Sequence, residues 1–210
     1  TPLTSIISYV ELLKEQPENE PANREYLETL DRQSMRLKKL LEDLIEASKA
    51  TTGNLPVELE NCSINMVLNQ ILGEYAEKLS AQKIDLRIRM PQEELTIPAD
   101  TKHLQRVLDN LLTNIAKYAQ PGTRAYANLD KIGDEAVIEL KNTSQEALNL
   151  TADELMERFV QGDTSRNTEG HGLGLNIAQS LMEVMGGKME LCVDGDLFKA
   201  ILRFPIVSGE

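Results

Sequence analysis

Apolar positions along this 210-residue chain fall into two regimes. Up to about residue 50 they recur every three or four residues. Leu3, Ile6, Val10 and Leu13 mark one amphipathic helix. After the polar stretch EQPENEPAN, the positions Leu27, Leu30, Ser34, Leu37, Leu41, Leu44 and Ser48 alternate steps of three and four, which is a heptad seam. Leu40 and Ile45 widen that stripe, as four-helix packing requires. Two helices bury so wide a stripe poorly. The expectation is a homodimer whose two hairpins form a four-helix bundle; packing of the hairpin on its own second domain is the alternative.

The texture changes after ATTGNLP (50–56), a Gly- and Pro-bearing linker. VELEN (57–61) alternates as a strand does, and residues 63–82 read as a helix with Ser63 as N-cap. IDLRIRM and LTIPA predict two strands, and residues 100–119 a helix capped by Asp100 or Thr101. TRAYANLDKI and EAVIELK predict a hairpin turning at Gly133. LTADELMERF predicts a short helix after Thr151. Residues 173–185 predict another helix, stopped by Gly186-Gly187. KMELCVD and LFKAILRF predict a last hairpin around Asp194-Gly195-Asp196. The fold class is therefore α+β: a helical hairpin (1–50), a linker with the first strand (51–61), and a second domain (62–210). That domain is a mixed sheet with its helices on one face.

Composition narrows the partners. Hydrophobic residues make up 41% of the chain, enough for a packed core. The formal net charge is −12, which disfavours nucleic acid and anionic membrane surfaces. Cys62 and Cys192 form no CxxC pair and suggest neither a disulfide framework nor a zinc site. No apolar run is long enough to span a bilayer. The helical pattern is already under way at residue 1, so a fragment of a longer chain is expected.

Two stretches carry candidate chemistry. In LQRVLDNLLTNIAKYA, Asn110, Asn114 and Lys117 are spaced by four and three and share one helical face, opposite Leu104, Val107, Leu108, Leu111, Leu112 and Ile115. An amide oxygen can ligate Mg²⁺, and a lysine one turn on can meet a phosphate. Tyr118 adds a flat ring for a base or ribose. A solvated polar face is the plainer account, but Asn is a poor residue for a helix interior, and two on one stripe favour a nucleotide–magnesium site. The second stretch is EGHGLGLN (169–176), which opens the next predicted helix. Its glycines allow close backbone approach, and a helix N-terminus offers unpaired N–H groups to an anion. The polar run RFVQGDTSRNTEG before it reads as a lid.

Taken together, the chain resembles the catalytic core of a bacterial two-component sensor histidine kinase over nearly all of its 210 residues. TPLTSIISYVELL resembles the end of the phosphoacceptor helix, NLLTNIAKY the asparagine box, RFVQGD the phenylalanine box and GHGLGL the second glycine box. The resemblance implies an α/β sandwich ATP-binding domain of the kind shared with gyrase and heat-shock chaperones. It implies that Asn114 and Asn110 serve Mg²⁺, Lys117 the phosphates and Tyr118 the nucleoside. Gly170, Gly172 and Gly174, with Leu173 and Leu175 beside them, would line the triphosphate. The implied activity is phosphotransfer from MgATP to a histidine, then to a response-regulator partner. Any membrane anchor would lie in missing upstream segments of an otherwise cytoplasmic protein.

The chain departs from the family pattern at three places. The phosphoacceptor His would fall four residues before Thr1, so it is absent. Thr1 matches the position that orients water for phosphatase activity. The first glycine box is missing, and Asn142 stands where the adenine-binding Asp is expected; a neutral amide makes a weaker hydrogen bond than a carboxylate. Gln161 replaces a frequent Arg, and Arg166 in the lid is the candidate substitute for that charge. These departures keep a second reading open, a dimeric scaffold or phosphatase with a degenerate ATP site. A chaperone-like ATPase clamp is disfavoured by the short heptad hairpin. His171, a lone polar residue within the glycine run, reads as a solvated loop residue, and His103 as a surface residue.

Overall fold

The structure, a computed structural model, describes residues 2–15, 21–52, 55–147 and 174–207. The chain divides into two compact units, Thr1–Ser48 and Lys49–Glu210.

The first unit pairs helix α1 (Pro2–Glu15) with the start of the long helix α2 (Pro21–Thr51). Tyr9 and Tyr26 meet across the hairpin with ring centroids 5.5 Å apart. Tyr26, Leu30, Leu37 and Leu40 of α2 are half-buried, whereas Leu27, Met35, Leu41, Leu44 and Ile45 are exposed, as are Leu3, Ile7 and Leu12 of α1. The seam is thus two-sided: one stripe serves the hairpin and a second stays uncovered in the single chain.

In the second unit, strand β1 (Glu60–Ser63) leads into helix α3 (Ile64–Ala81), then β2 (Asp85–Arg89), β3 (Thr96–Ala99) and helix α4 (Thr101–Tyr118). Strands β4 (Arg124–Ile132) and β5 (Glu135–Thr143), helix α5 (Gly174–Val184), and strands β6 (Lys188–Asp194) and β7 (Leu197–Pro205) follow. The main sheet runs β2-β4-β5-β7-β6; β2 lies parallel to β4 and the other neighbours are antiparallel. A small antiparallel ladder joins β1 to β3.

Period-2 alternation decides the layers. Ala125, Ala127 and Leu129 of β4, Ile138 and Leu140 of β5, and Ala200, Leu202 and Phe204 of β7 are buried beneath the helices. Their neighbours in sequence carry ion pairs on the opposite face, among them Glu139 with Lys141 and Lys199, and Arg89 bidentate to Asp130. The helices lie on one face, as the sequence predicts.

Local signals explain the ends. Ser63 accepts from Met66 N–H and starts α3. After α5, Gly186 takes φ +75°, its N–H reaches Glu183 O and the next N–H reaches Met182 O, a Schellman turn. Gly187 packs so closely that a Cβ there would lie 2.7 Å from Met182 Cε and 2.8 Å from Phe204 Cε1.

Two expectations shift. The first strand lies at Glu60–Ser63 and not at 57–61, because its partner β3 has only four residues to pair with. Upstream, Glu58 N–H instead donates to Asp100 Oδ2 at 3.1 Å. His103 is not a surface residue. Its side chain is 16% exposed, and Nε2 sits 3.2 Å from Pro56 O, tying the linker to the start of α4. The helix expected after Thr151 lies outside the described residues.

Asp100 is the N-cap of α4. Burial alone would raise its pKa, but backbone N–H groups of Glu58 and His103, the charge of His103, and Lys102 N–H outweigh that and hold it below the ordinary carboxylate value. A lowered folded-state pKa stabilises the fold above the ordinary range, and this stabilisation is lost as pH falls through the lowered value. Asp100→Asn, which keeps the cap and loses only the charge, should therefore cost about 0.3–1 kcal/mol at neutral pH. The gap in urea midpoint from the parent chain should close as the pH falls below the ordinary carboxylate range.

Candidate functional site

The site is built on α4. Its apolar face, with Leu104, Val107, Leu108, Leu111, Leu112 and Ile115, is fully buried. The opposite face therefore presents Asn110 and Asn114, both half-buried, and Lys117, which is exposed. Helix α5 packs against α4 and begins at Gly174. A Cβ on Gly174 would lie 3.5 Å from Asn110 Oδ1, so the first residue of α5 sits directly over the Asn110 amide. Asn110 Nδ2 is buried with no hydrogen-bond partner among the described residues. A buried donor without an acceptor is costly unless something else accepts from it.

The other end of α4 is tied to the end of β5. Tyr118 O accepts from Gln145 N–H at 2.8 Å and from Ser144 Oγ at 3.4 Å, and Ala119 bridges Ser144. Asn142, opposite Ala125 and Phe198 in the ladders, is only 2% exposed. Its Nδ2 donates to Thr143 O at 3.1 Å, so the amide oxygen is the acceptor end of the group. Lys117 also lines a cavity of about 460 Å³ with Lys78, Gln82, Thr113, Pro121 and Gln145, on the α3 flank of α4.

The sequence-predicted residues thus divide. Asn110 and Gly174 come together, with Asn114 and Lys117 on the same helical face; Tyr118 and Asn142 lie at the linked ends of α4 and β5. Leu175 is 3% exposed, so its side chain belongs to the core. Thr1, Arg166, Gly170, Gly172 and Leu173, with the lid and His171, lie outside the described residues. Among the described residues no cluster of His, Cys, Asp or Glu could hold a metal. A cation here would depend on amide oxygens and on oxygens of its own ligand.

Sequence reasoning missed a polar cluster on the α3 flank. Tyr75, 6% exposed, places its hydroxyl 2.5 Å from Asp109 Oδ1 and 2.7 Å from Thr113 Oγ1. The phenol donates to the carboxylate, and the threonine hydroxyl can donate to the phenol oxygen. Burial first, then the Asp109 acceptor, push the Tyr75 pKa up to about 12. Asp109 and Thr113 are four apart on the flank of α4 that α3 covers, the one signal the sequence offered.

With this geometry in hand, the comparisons are specific. Residues 99–206 match the family described as histidine kinase-, DNA gyrase B-, and HSP90-like ATPase, and residues 1–53 match the His Kinase A (phospho-acceptor) domain. Among curated relatives, the sensor protein VanSC of Enterococcus gallinarum is 30% identical over 190 residues, covering 89% of this chain and 52% of its own length. VanS of Enterococcus faecium is 31% identical over 194 residues, covering 90% of this chain and 50% of its own. The chain spans about half the length of these relatives. Histidine kinase AdeS of Acinetobacter baumannii has the same fold, with a TM-score of 0.79 at 16% identity over 99% of this chain and 96% of that one. The second unit is therefore an ATPase domain of the kinase, gyrase and HSP90 type, preceded by a phospho-acceptor hairpin. The chain belongs to the two-component sensor histidine kinases, of which it holds the catalytic core. No described helix is long and apolar enough to cross a membrane.

The Tyr75 cluster gives a direct test. A raised folded-state pKa means stabilisation that is complete below the unfolded value and lost as pH rises through the folded one. Tyr75→Phe should destabilise the chain by about 2 kcal/mol at neutral pH. The difference between the two unfolding midpoints should shrink between about pH 10 and about pH 12.

Proposed function

We propose that residues 62–210 bind MgATP and transfer its γ-phosphoryl group to a histidine that precedes Thr1 by four residues in the whole protein. From there the group passes to an aspartate of a response regulator. The observation that carries this reading is the junction of α4 and α5. There an unpartnered buried amide donor, Asn110 Nδ2, and a side-chain-free helix start, Gly174, face one another beside Asn114 and Lys117. A phosphate oxygen would satisfy the Asn110 donor, and the amide oxygens of Asn110 and Asn114 suit a hard cation. Mg²⁺ bound with the nucleotide supplies charge neutralisation at the phosphates.

Each residue then has a task. Asn114 and Asn110 orient the metal-bound phosphates, Lys117 adds a point charge, and the α5 N-terminus adds its partial positive charge. Gly170, Gly172 and Leu173 continue that cradle in sequence, and Arg166 supplies a second cation from the lid. Tyr118 flanks the nucleoside. Asn142, whose Nδ2 is engaged by Thr143 O, accepts from the adenine amino group through its amide oxygen. Transfer of this kind needs positioning and charge stabilisation more than covalent chemistry by the protein.

Residues 1–50 form the dimer. Leu3, Ile7, Leu12, Leu27, Leu41, Leu44 and Ile45, all at least 40% exposed, supply the apolar stripe that a second copy covers to give a four-helix bundle. The hairpin also presents the docking face for the regulator; a histidine kinase of similar fold, ThkA, was solved in complex with response regulator TrrA, with a TM-score of 0.74. Thr1 orients water for dephosphorylation once the histidine is present. Nucleic acid has no place in this reading.

A second reading, a scaffold or phosphatase with a degenerate ATP site, is favoured by Asn142, a neutral residue where the family has an acid. Calorimetric titration with ATP separates the two. Binding that requires Mg²⁺ and weakens at least about tenfold in Asn114→Ala supports the kinase reading. No binding at about millimolar ATP, above the usual substrate range, overturns it in favour of the scaffold.

A further inference from the structure

Helix α4 packs against α3, and the apolar side chains of both helices give that packing no direction. Leu68, Ile71 and Leu72 of α3 and Leu108 and Leu112 of α4 are buried, and hydrophobic burial is non-directional. Such an interface tolerates small rotations of one helix about its axis. The rotation matters, because a side chain on α4 reaches about 5–6 Å from the axis, so about 10° moves a terminal amide by about 1 Å. A shift of that size is enough to spoil a metal–phosphate geometry.

The Tyr75 hydroxyl is the directional element of this interface. It engages Asp109 through Oδ1 at 2.5 Å and Thr113 through Oγ1 at 2.7 Å, with Asp109 O at 3.4 Å. Asp109 immediately precedes Asn110, and Thr113 immediately precedes Asn114. Each clamped residue is therefore one position, about 100° round the helix, from one of the two asparagines. The clamp grips two successive turns of α4 from the side opposite α5. On the α5 side the position facing Asn110 is Gly174, which has no side chain to hold the amide.

We propose that Tyr75 is a positioning residue for the metal–phosphate site: its clamp on Asp109 and Thr113 sets the rotation of α4 and so aims Asn110 and Asn114. The inference rests on the nucleotide reading above and adds to it a residue on a different helix that touches no ligand. Buried polar groups within apolar helix interfaces serve as register devices in other systems.

The test uses the whole 210-residue chain as parent, Tyr75→Phe, Asp109→Ala and the conservative Thr113→Ser. Affinity for ATP is measured with Mg²⁺ and with chelator, and folding is checked by unfolding midpoint. Tyr75→Phe and Asp109→Ala, which remove the donor and the side-chain acceptor of the clamp, should each lose about tenfold in the Mg²⁺-dependent part of ATP affinity while chelator-measured affinity holds. Thr113→Ser keeps the hydroxyl and should keep parent affinity. In the ligand-free chain, the side-chain amide signals of Asn110 and Asn114 should shift in Tyr75→Phe by NMR, a readout that needs no bound nucleotide. A folded Tyr75→Phe with unchanged Mg²⁺ dependence and unchanged amide signals overturns the proposal and leaves Tyr75 a stability element only. A parent chain without Mg²⁺-dependent binding overturns the nucleotide reading, and this inference with it. Should Tyr75→Phe not fold, Asp109→Ala decides by the same criteria.

Discussion

Burial of the leucine face of α4 on the sheet is the contact from which the site follows. Six side chains, from Leu104 to Ile115, are removed from water on one side of eighteen residues. At about 2 kcal/mol each, that burial is of the order of the whole net stability of a domain. It also fixes what the other side can be. Asparagine lowers helix propensity, so the two on the outer face are tolerated only because the inner face holds the helix in place. Propensity is surrendered where the ligand-facing chemistry sits, and packing makes up the loss on the other side of the same helix.

Much of this was legible along the chain. Helix α3 announced itself through Ser63, α5 through Gly186, and the hairpin β4–β5 through Gly133, because in each a single residue with a special backbone or side-chain role marks the boundary. The asparagine face was legible by helical spacing alone. The burial of Asn142 could have been read from the alternation Ala136, Ile138, Leu140, Asn142, which carries it to the core face of β5. What could not be read was anything that joins distant parts of the chain. The Tyr75 cluster spans thirty-four positions to Asp109. The contact that takes His103 out of solvent comes from Pro56, in a linker with no pattern of its own. The slip of β1 likewise follows from the length of its partner, not from its own alternation.

The outer face of the sheet shows a different economy. Charges of both signs interlock there, with Glu139 between Lys141 and Lys199, and Arg203 between Glu135 and Glu190. Half-exposed pairs of this sort add little stability, but opposite charges across neighbouring strands penalise a slipped register. Burial raises and lysine pairing lowers the Glu139 pKa, and the lysines prevail. The acidic excess of the chain is therefore not concentrated on this face.

Helix α5 is held unequally at its two ends. At its C-terminus Gly187 is wedged against Met182, Phe204 and the Arg203 carbonyl, where even one added methyl has no room. At its N-terminus a methyl added at Gly174 would meet Asn110 only at ordinary van der Waals distance, 3.5 Å. Mechanically this is a lever with a fixed pivot. An eleven-residue helix is about 16 Å long, so a tilt of about 4° at the pivot displaces its other end by about 1 Å. That end lies over Asn110, so a tilt of α5 about its glycine-packed C-terminus changes the spacing at the asparagines more than the spacing at Phe204.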